Sequence, residues 1–308
     1  MEDKRIVKLL RNLDKTVEKE CNGPITVAFS GGIDSTLVAF LSKKYCEVEL
    51  IAVGIANSHD IKAAKSAAKL INCDLKIIEV EQTEMVSEAL EMQKHLDLSS
   101  IEVEFMLPFW IVAKNASNPI LMCGQGADEL FGGYARFRKE GAENNLKKEV
   151  SELIVRIPSR EEKIASIFKL KLSCPYLSEG VINAANDYSV DEHVGDIGKI
   201  ILRKVATEFG LPKEITNRKK KAAQYGSGSQ KAIKNIIKHK IQFEIDFESE
   251  KIARAIVKAT EPENTGWVET TVNGQKVKAV VKAKNLGSLR EAAEDFMACI
   301  AVAEKVTK

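Results

Sequence analysis

This sequence predicts an α/β protein: a doubly wound parallel sheet with a helical extension, followed by a small α+β domain. Three observations predict it. Between residues 25 and 123, short apolar runs alternate with helix-patterned stretches, the rhythm of a parallel sheet. Two of those runs pass directly into glycine-rich turns, SGGIDS at 30–35 and GQGADELFGGY at 124–134. Beyond residue 240 the order changes to strand, helix, strand, strand, helix.

The elements follow in order. Residues 1–20 form an amphipathic helix with Ile6, Leu9, Leu10, Leu13 and Val17 on one face, too charged for a secretory signal. Strand 25–29 leads to helix 34–45, strand 48–53 to helix 60–71, and strand 75–80 to helix 83–95. An apolar helix near 102–116, with Trp110 as a core residue, precedes strand 119–123. From about 138 to 240 the pattern is helical with no clear strand. Residues 218–240 hold eight Lys or Arg and no acid, and the Tyr-Gly-Ser-Gly-Ser at 225–229 reads as a flexible loop, a candidate lid.

A strand at 241–247 opens a separate unit, so domains 1–240 and 241–308 are expected. In the second, Ser249 caps a helix carrying Ile252, Ala253, Ile256 and Val257. Asn273 and Gly274 read as a type I′ turn between strands 267–272 and 276–283. Ser288 and Glu291 read as a capping box for the last helix. Strand 276–283 puts Val277, Ala279, Val281 and Ala283 on one face, and the last helix aligns Leu286, Leu289, Ala293, Phe296, Ile300 and Ala303. So small a core is marginal alone, which predicts an association module rather than a second active site, and a homodimer through it.

Composition sets limits. The chain has 308 residues, 44% hydrophobic and 29% charged, as in a globular protein. No apolar run is long enough for a membrane span, so no membrane partner is expected. The net charge of +2 predicts no strong nucleic-acid affinity for the whole chain. Six scattered cysteines without a CxxC pair argue against a zinc ribbon or iron–sulfur cluster, and predict reduced thiols in a cytoplasmic protein. The four histidines have no ligand spacing and are expected at the surface or as caps.

The chemistry lies in the two turns. A glycine-rich turn between strand and helix aims N–H groups and a helix N-terminus at an anion. Gly31 and Gly32 allow close backbone approach, and Ser30, Ser35 and Thr36 supply hydroxyls. Asp34 would repel a bare phosphate, but fits if Mg²⁺ lies between them. The GxxxxGK[ST] spacing is absent, which excludes a Walker-type kinase or GTPase turn.

SGGIDS resembles the PP-loop of ATP pyrophosphatases. Together with GQGADELFGGY it resembles the synthetase domain of the asparagine synthetases and the related β-lactam synthetases, over roughly residues 20–235. The resemblance implies ATP cleavage to AMP and pyrophosphate. It assigns Ser30, Gly31, Gly32, Asp34 and Ser35 to the pyrophosphate loop, and Asp34 and Asp128 to Mg²⁺. It places Phe29, Val53, Cys123 and Gly124 at the adenine and ribose pocket. The GKxxLR likeness at 198–203 and the RxK likeness at 218–220 make Lys199 and Lys220 pyrophosphate ligands.

Two departures bear on the substrate. The family's glutaminase domain has no counterpart, since Met1 and Glu2 open a helix, so glutamine hydrolysis is not expected. The family's GEG glutamate, which handles the nucleophile, is Gln125, and glutamine cannot take up a proton at neutral pH. The resemblance therefore implies a ligase joining a small-molecule carboxylate to an amine through an acyl-adenylate. Residues 241–308 resemble the small dimerising subunit of the KEOPS tRNA-modification complex. That likeness keeps open a tRNA-modification enzyme or a KEOPS-linked nucleotide-binding assembly module, with tRNA or tRNA-modification proteins as partners. Cys123 or Cys174 as a sulfur carrier belongs to that alternative.

Overall fold

The structure is a computed structural model and describes residues 3–134, 137, 143–194, 198–218, 239–264, 268–283 and 286–307. The chain divides into two compact units: Met1–Glu81 with Phe105–Ser229, and Gln82–Glu104 with Gln230–Lys308.

The first unit opens with α1 (Lys4–Glu20), capped by the Asp3 carboxylate, which accepts from Arg5 N–H. Of the predicted apolar face, Ile6, Leu9, Leu13 and Val17 are buried and Leu10 is half-buried. Then come β1 (Ile25–Ala28), α2 (Ile33–Ser42), β2 (Val48–Gly54), α3 (His59–Leu70) and β3 (Leu75–Glu79). After α4 (Gln82–His95), which belongs to the second unit, α5 (Ser100–Asn115) re-enters the first. It carries Trp110 into the core, edge-on to Phe168 at 4.8 Å. The unit continues through β4 (Ile120–Met122), α6 (Ala127–Leu130), α7 (Glu143–Arg156), α8 (Glu161–Ile167) and β5 (Lys171–Ser173). Helices α9 (Glu179–Ala185), α10 (Val190–Val194), α11 (Ile200–Glu208) and α12 (Lys213–Thr216) complete its described part.

The five strands are all parallel in the order β3-β2-β1-β4-β5. Ile25, Val27, Leu50 and Leu121 have no exposure, because strands covered by helices on both faces read as continuous apolar runs. The chain reverses direction across the sheet between β1 and β4, and such a switch point leaves a crevice at the C-terminal strand ends. Both glycine-rich turns start there. The short strand β5 departs from the expectation of helices alone after residue 138. Three residues cannot display a period of two, so β5 is recognisable only from its pairing with β4, Ile120↔Lys171 to Met122↔Ser173.

In the second unit, β6 (His239–Asp246), α13 (Glu250–Asn264), β7 (Val268–Asn273), β8 (Lys276–Ala283) and α14 (Leu286–Thr307) give the predicted order. The antiparallel sheet runs β6-β8-β7. Val277, Ala279 and Val281 are fully buried on one face with Phe296 and Ile300 of α14 and Ile256 of α13. Ser249 caps α13, accepting from Ile252 N–H at 3.3 Å. Two local expectations change. Asn273 pairs with Lys276, so the turn centres on Gly274 and Gln275. Positive φ falls on Gly274 (58°) and not on Gln275, the pattern of a II′ turn. Helix α14 starts at Leu286, which places Ser288 inside the first turn instead of at the cap.

Candidate functional site

The turn after β1 is shaped by close backbone contacts. Gly31 has φ 69°, and a Cβ there would lie 2.5 Å from the Ala63 carbonyl of α3, so only glycine fits. Ser30 and Ser35 hydroxyls lie 3.3 Å apart, and Ser30 Oγ accepts from Gly32 N–H at 3.3 Å. Gly32 is the N-cap of α2 and offers no capping side chain. The first-turn N–H groups of a helix have no intrahelical acceptor, which suits an anion.

The second turn lies directly against the first. A Cβ on Gly124 would come within 2.9 Å of Asp34 Cβ. Gly126 adopts φ 90° with no room for a side chain beside Leu177. The buried Tyr176 hydroxyl donates to the Asp34 carbonyl at 3.0 Å, fixing the start of α2 from the β5 side.

The predicted Asp34, Asp128 and Lys199 converge. Lys199 Nζ is 2.6 Å from Asp34 Oδ2 and forms an ion pair with Asp128 Oδ1 at 2.7 Å. Lys199 is 2% exposed. Burial disfavours its charge, but the two carboxylates outweigh that penalty and hold the ammonium above its ordinary value. Gly133 closes the cluster, since a Cβ there would strike Asp128 Oδ1 and Lys199 Cε. Asp34 Oδ1 is buried with no hydrogen-bond partner among the described residues. That orphan acceptor, and a donor set of hard carboxylate oxygens from two loops, fit a magnesium ion. No group of three or more metal-ligating side chains is found among the described residues, so phosphate or water oxygens would complete the shell.

Phe29, Val53 and Cys123 are buried at the C-terminal ends of β1, β2 and β4, and Gly124 follows directly. Phe29 N–H donates to Ile51 O and Cys123 N–H to Ser173 O, so these two backbone donors serve the sheet. Lys220 and the loop at 225–229 lie outside the described residues.

Gln125 projects to a buried pair. Its Nε2 donates to Glu161 Oε1 at 3.0 Å, and Glu161 also binds the adjacent Arg160 guanidinium. Glu161 and Arg160 are 2% and 4% exposed, and Arg160 lies 5.1 Å from the Phe105 ring centroid. Cys123 and Cys174 stand side by side, Sγ to Sγ 3.5 Å, and all six cysteines are free thiols. The hydrogen bond it shares with Cys123, together with burial, pushes the Cys174 thiol well above its ordinary value, which lowers its reactivity.

Several of these residues escaped the sequence reading. Glu161 and Arg160 follow no turn and no motif. Arg203, inside the GKxxLR stretch, donates to the carbonyls of Gly198, Thr216 and Arg218. Arg218 in turn donates to Gly31 O at 2.9 Å, tying residue 218 to the first turn. His193 corrects the expectation of surface histidines. It is 4% exposed, between the Phe131 and Tyr188 rings.

Two family profiles match the chain. The Asparagine synthase family profile matches residues 8–162, and the Transcription factor Pcc1 profile matches residues 240–308. A candidate glutamine-hydrolysing asparagine synthetase of Methanocaldococcus jannaschii is 32% identical over 279 residues, covering 76% of this chain and 49% of that protein. An asparagine synthetase domain-containing protein of Saccharomyces cerevisiae is 27% identical over 266 residues, covering 71% and 50%. The chain thus spans about half the length of these curated relatives. Among solved structures, the NMN synthetase of Francisella tularensis superimposes with a TM-score of 0.41 at 14% identity, covering 71% of this chain and 77% of that one.

Proposed function

The chain belongs to the asparagine synthase family, and on that premise we propose that it is an ATP-dependent, AMP- and pyrophosphate-forming amide ligase. One observation carries the reading: Asp34 and Asp128, from two turns at the sheet's switch point, meet on one buried cation, Lys199. Opposed carboxylates beside a phosphate-shaped turn are what Mg·ATP requires.

In this reading a small-molecule carboxylate attacks the α phosphate of ATP, forming an acyl-adenylate and releasing pyrophosphate. An amine then attacks the acyl carbon, giving the amide, AMP and a proton. Asp34 and Asp128 hold the magnesium ion, which offsets phosphate charge when bound. The Ser30 to Ser35 turn cradles the phosphates, and Lys199 and Lys220 offset charge that develops on pyrophosphate. Phe29, Val53, Cys123 and Gly124 border the nucleoside. Gln125 cannot act as a base. With its Nε2 given to Glu161, its carbonyl is left to accept from an amine N–H.

Residues 240–308 are read as an association domain, favoured by their match to the Pcc1 family. A homodimer through this region follows, and contact with tRNA-modification proteins is the second functional reading. Release of AMP stimulated by bulk tRNA, with every amino-acid carboxylate inert, would move that second reading to the front.

Calorimetry tests the site. Asp34→Ala and Asp128→Ala should each abolish Mg·ATP binding measurable in the wild type. Unchanged affinity in both variants refutes the assignment. Gln125→Glu should raise amide formation from ammonium, because it restores a group able to take a proton.

A further inference from the structure

We propose that Lys199 is a resident counter-cation that bars a free divalent ion from the Asp34–Asp128 pair, so that metal enters only together with nucleotide. The inference rests on the reading above that these aspartates take a divalent ion.

The cluster is built and not incidental. Two carboxylate oxygens lie within 2.7 Å of one nitrogen, so the ammonium offsets the repulsion between two negative charges. The lysine side chain is 3% exposed, against 21% for Asp34 and 19% for Asp128, so the ammonium fills the inner side of the pair. Lys199 adopts φ 57° and ψ 36°, a left-handed conformation unusual for a residue with a side chain. Such a conformation persists when its surroundings over-determine it. Here α11 begins at the next residue, Arg203 N–H donates to the Lys199 carbonyl at 2.9 Å, and its guanidinium holds the Gly198 carbonyl. On the other side Gly133 leaves room for the Lys199 stem and the Asp128 carboxylate and for nothing larger.

A magnesium ion cannot share this position. Its oxygen ligands close to about 2.0–2.1 Å, shorter than either N–O contact here, and its charge would repel an ammonium held between the same oxygens. Free metal held between the same two oxygens must therefore displace Lys199 from both carboxylates, which is costly for a buried cation. A nucleotide removes that obstacle, because its phosphates give the ammonium a new partner while the metal takes the carboxylates. Metal and nucleotide affinities are then coupled, each raising the other by the same factor.

The test uses Mn²⁺ as the probe, counted by electron paramagnetic resonance of the free ion, on the full chain with and without α,β-methylene-ATP. In the wild type, Mn²⁺ affinity should rise roughly tenfold or more on adding the nucleotide. Lys199→Met should bind Mn²⁺ alone roughly tenfold more tightly than the wild type and lose most of the nucleotide's effect. Lys199→Arg, which keeps the charge, should exclude free Mn²⁺ as the wild type does. If Lys199→Met does not fold, Lys199→Gln carries the same expectation. Equal Mn²⁺ affinity of wild type and the neutral variants without nucleotide overturns the proposal. Failure of every protein to bind Mn²⁺ even with the nucleotide would instead sink the nucleotide-site reading itself.

Discussion

Single side chains in this protein are governed by what burial does to charge. Lys199 stays cationic because Asp34 and Asp128 surround it, whereas at His193 burial outweighs the Ala185 carbonyl and the Glu192 carboxylate. Its Nε2 lies 3.0 Å from the Ala185 carbonyl, and Nδ1 is buried with no hydrogen-bond partner among the described residues. Burial lowers its proton affinity below the ordinary value of 6.5. The unfolded chain then binds the proton more readily than the folded one, so stability is lost as pH falls through 6.5 towards the folded value. His193→Phe keeps the ring contacts and removes the titration. Urea unfolding at neutral and mildly acid pH should show a smaller acid loss in the variant than in the wild type. An identical loss in both would contradict the burial argument. Asp34, Asp128 and Lys199 were legible because a motif fixed their spacing. His193 and Glu161 were not, because burial comes from tertiary packing that no local pattern encodes.

The elements follow the same division. Strands β1 to β4 and helices α1 to α5 announce themselves by long apolar or amphipathic runs, and their observed ends differ from expectation by a few residues at most. Strand β5 is too short for any period, and Gly274 reads equally well as the first or second residue of a hairpin turn until the register is known. The seam of α14 was legible from spacing alone: Leu289, Ala293, Phe296 and Ile300 are all buried. Phe296 has no exposure and lies 5.8 Å from the Phe243 ring centroid. Phe296→Ala should therefore destabilise the second unit by about 3–5 kcal/mol. Hydrogen exchange on the full chain should show lost protection in β6, β7 and β8 with the first unit's strands unchanged. Unaltered protection in β8 would mean that α14 is not the cover its burial indicates.

For the whole molecule, the sheet order places both glycine-rich turns at one switch point, and the family match covers the same region. The inclusion of residues 82–104 in the second unit had no sequence signal, since their apolar pattern fits any helix. In residues 241–308, Met297 is 41% and Val302 63% exposed on α14. On the proposed association domain, large apolar side chains left in water suit a contact between copies. Light scattering at micromolar concentration should find a dimer, and Met297→Glu with Val302→Glu should shift it to monomer. A monomeric wild type would contradict this. The products of ATP report the reaction class. The full chain with Mg²⁺, ATP labelled at the α phosphate, ammonium and each amino-acid carboxylate in turn should release labelled AMP with at least one acceptor, and no ADP. Labelled ADP, or no acceptor-dependent turnover with any carboxylate, would rule out an AMP-forming amide ligase.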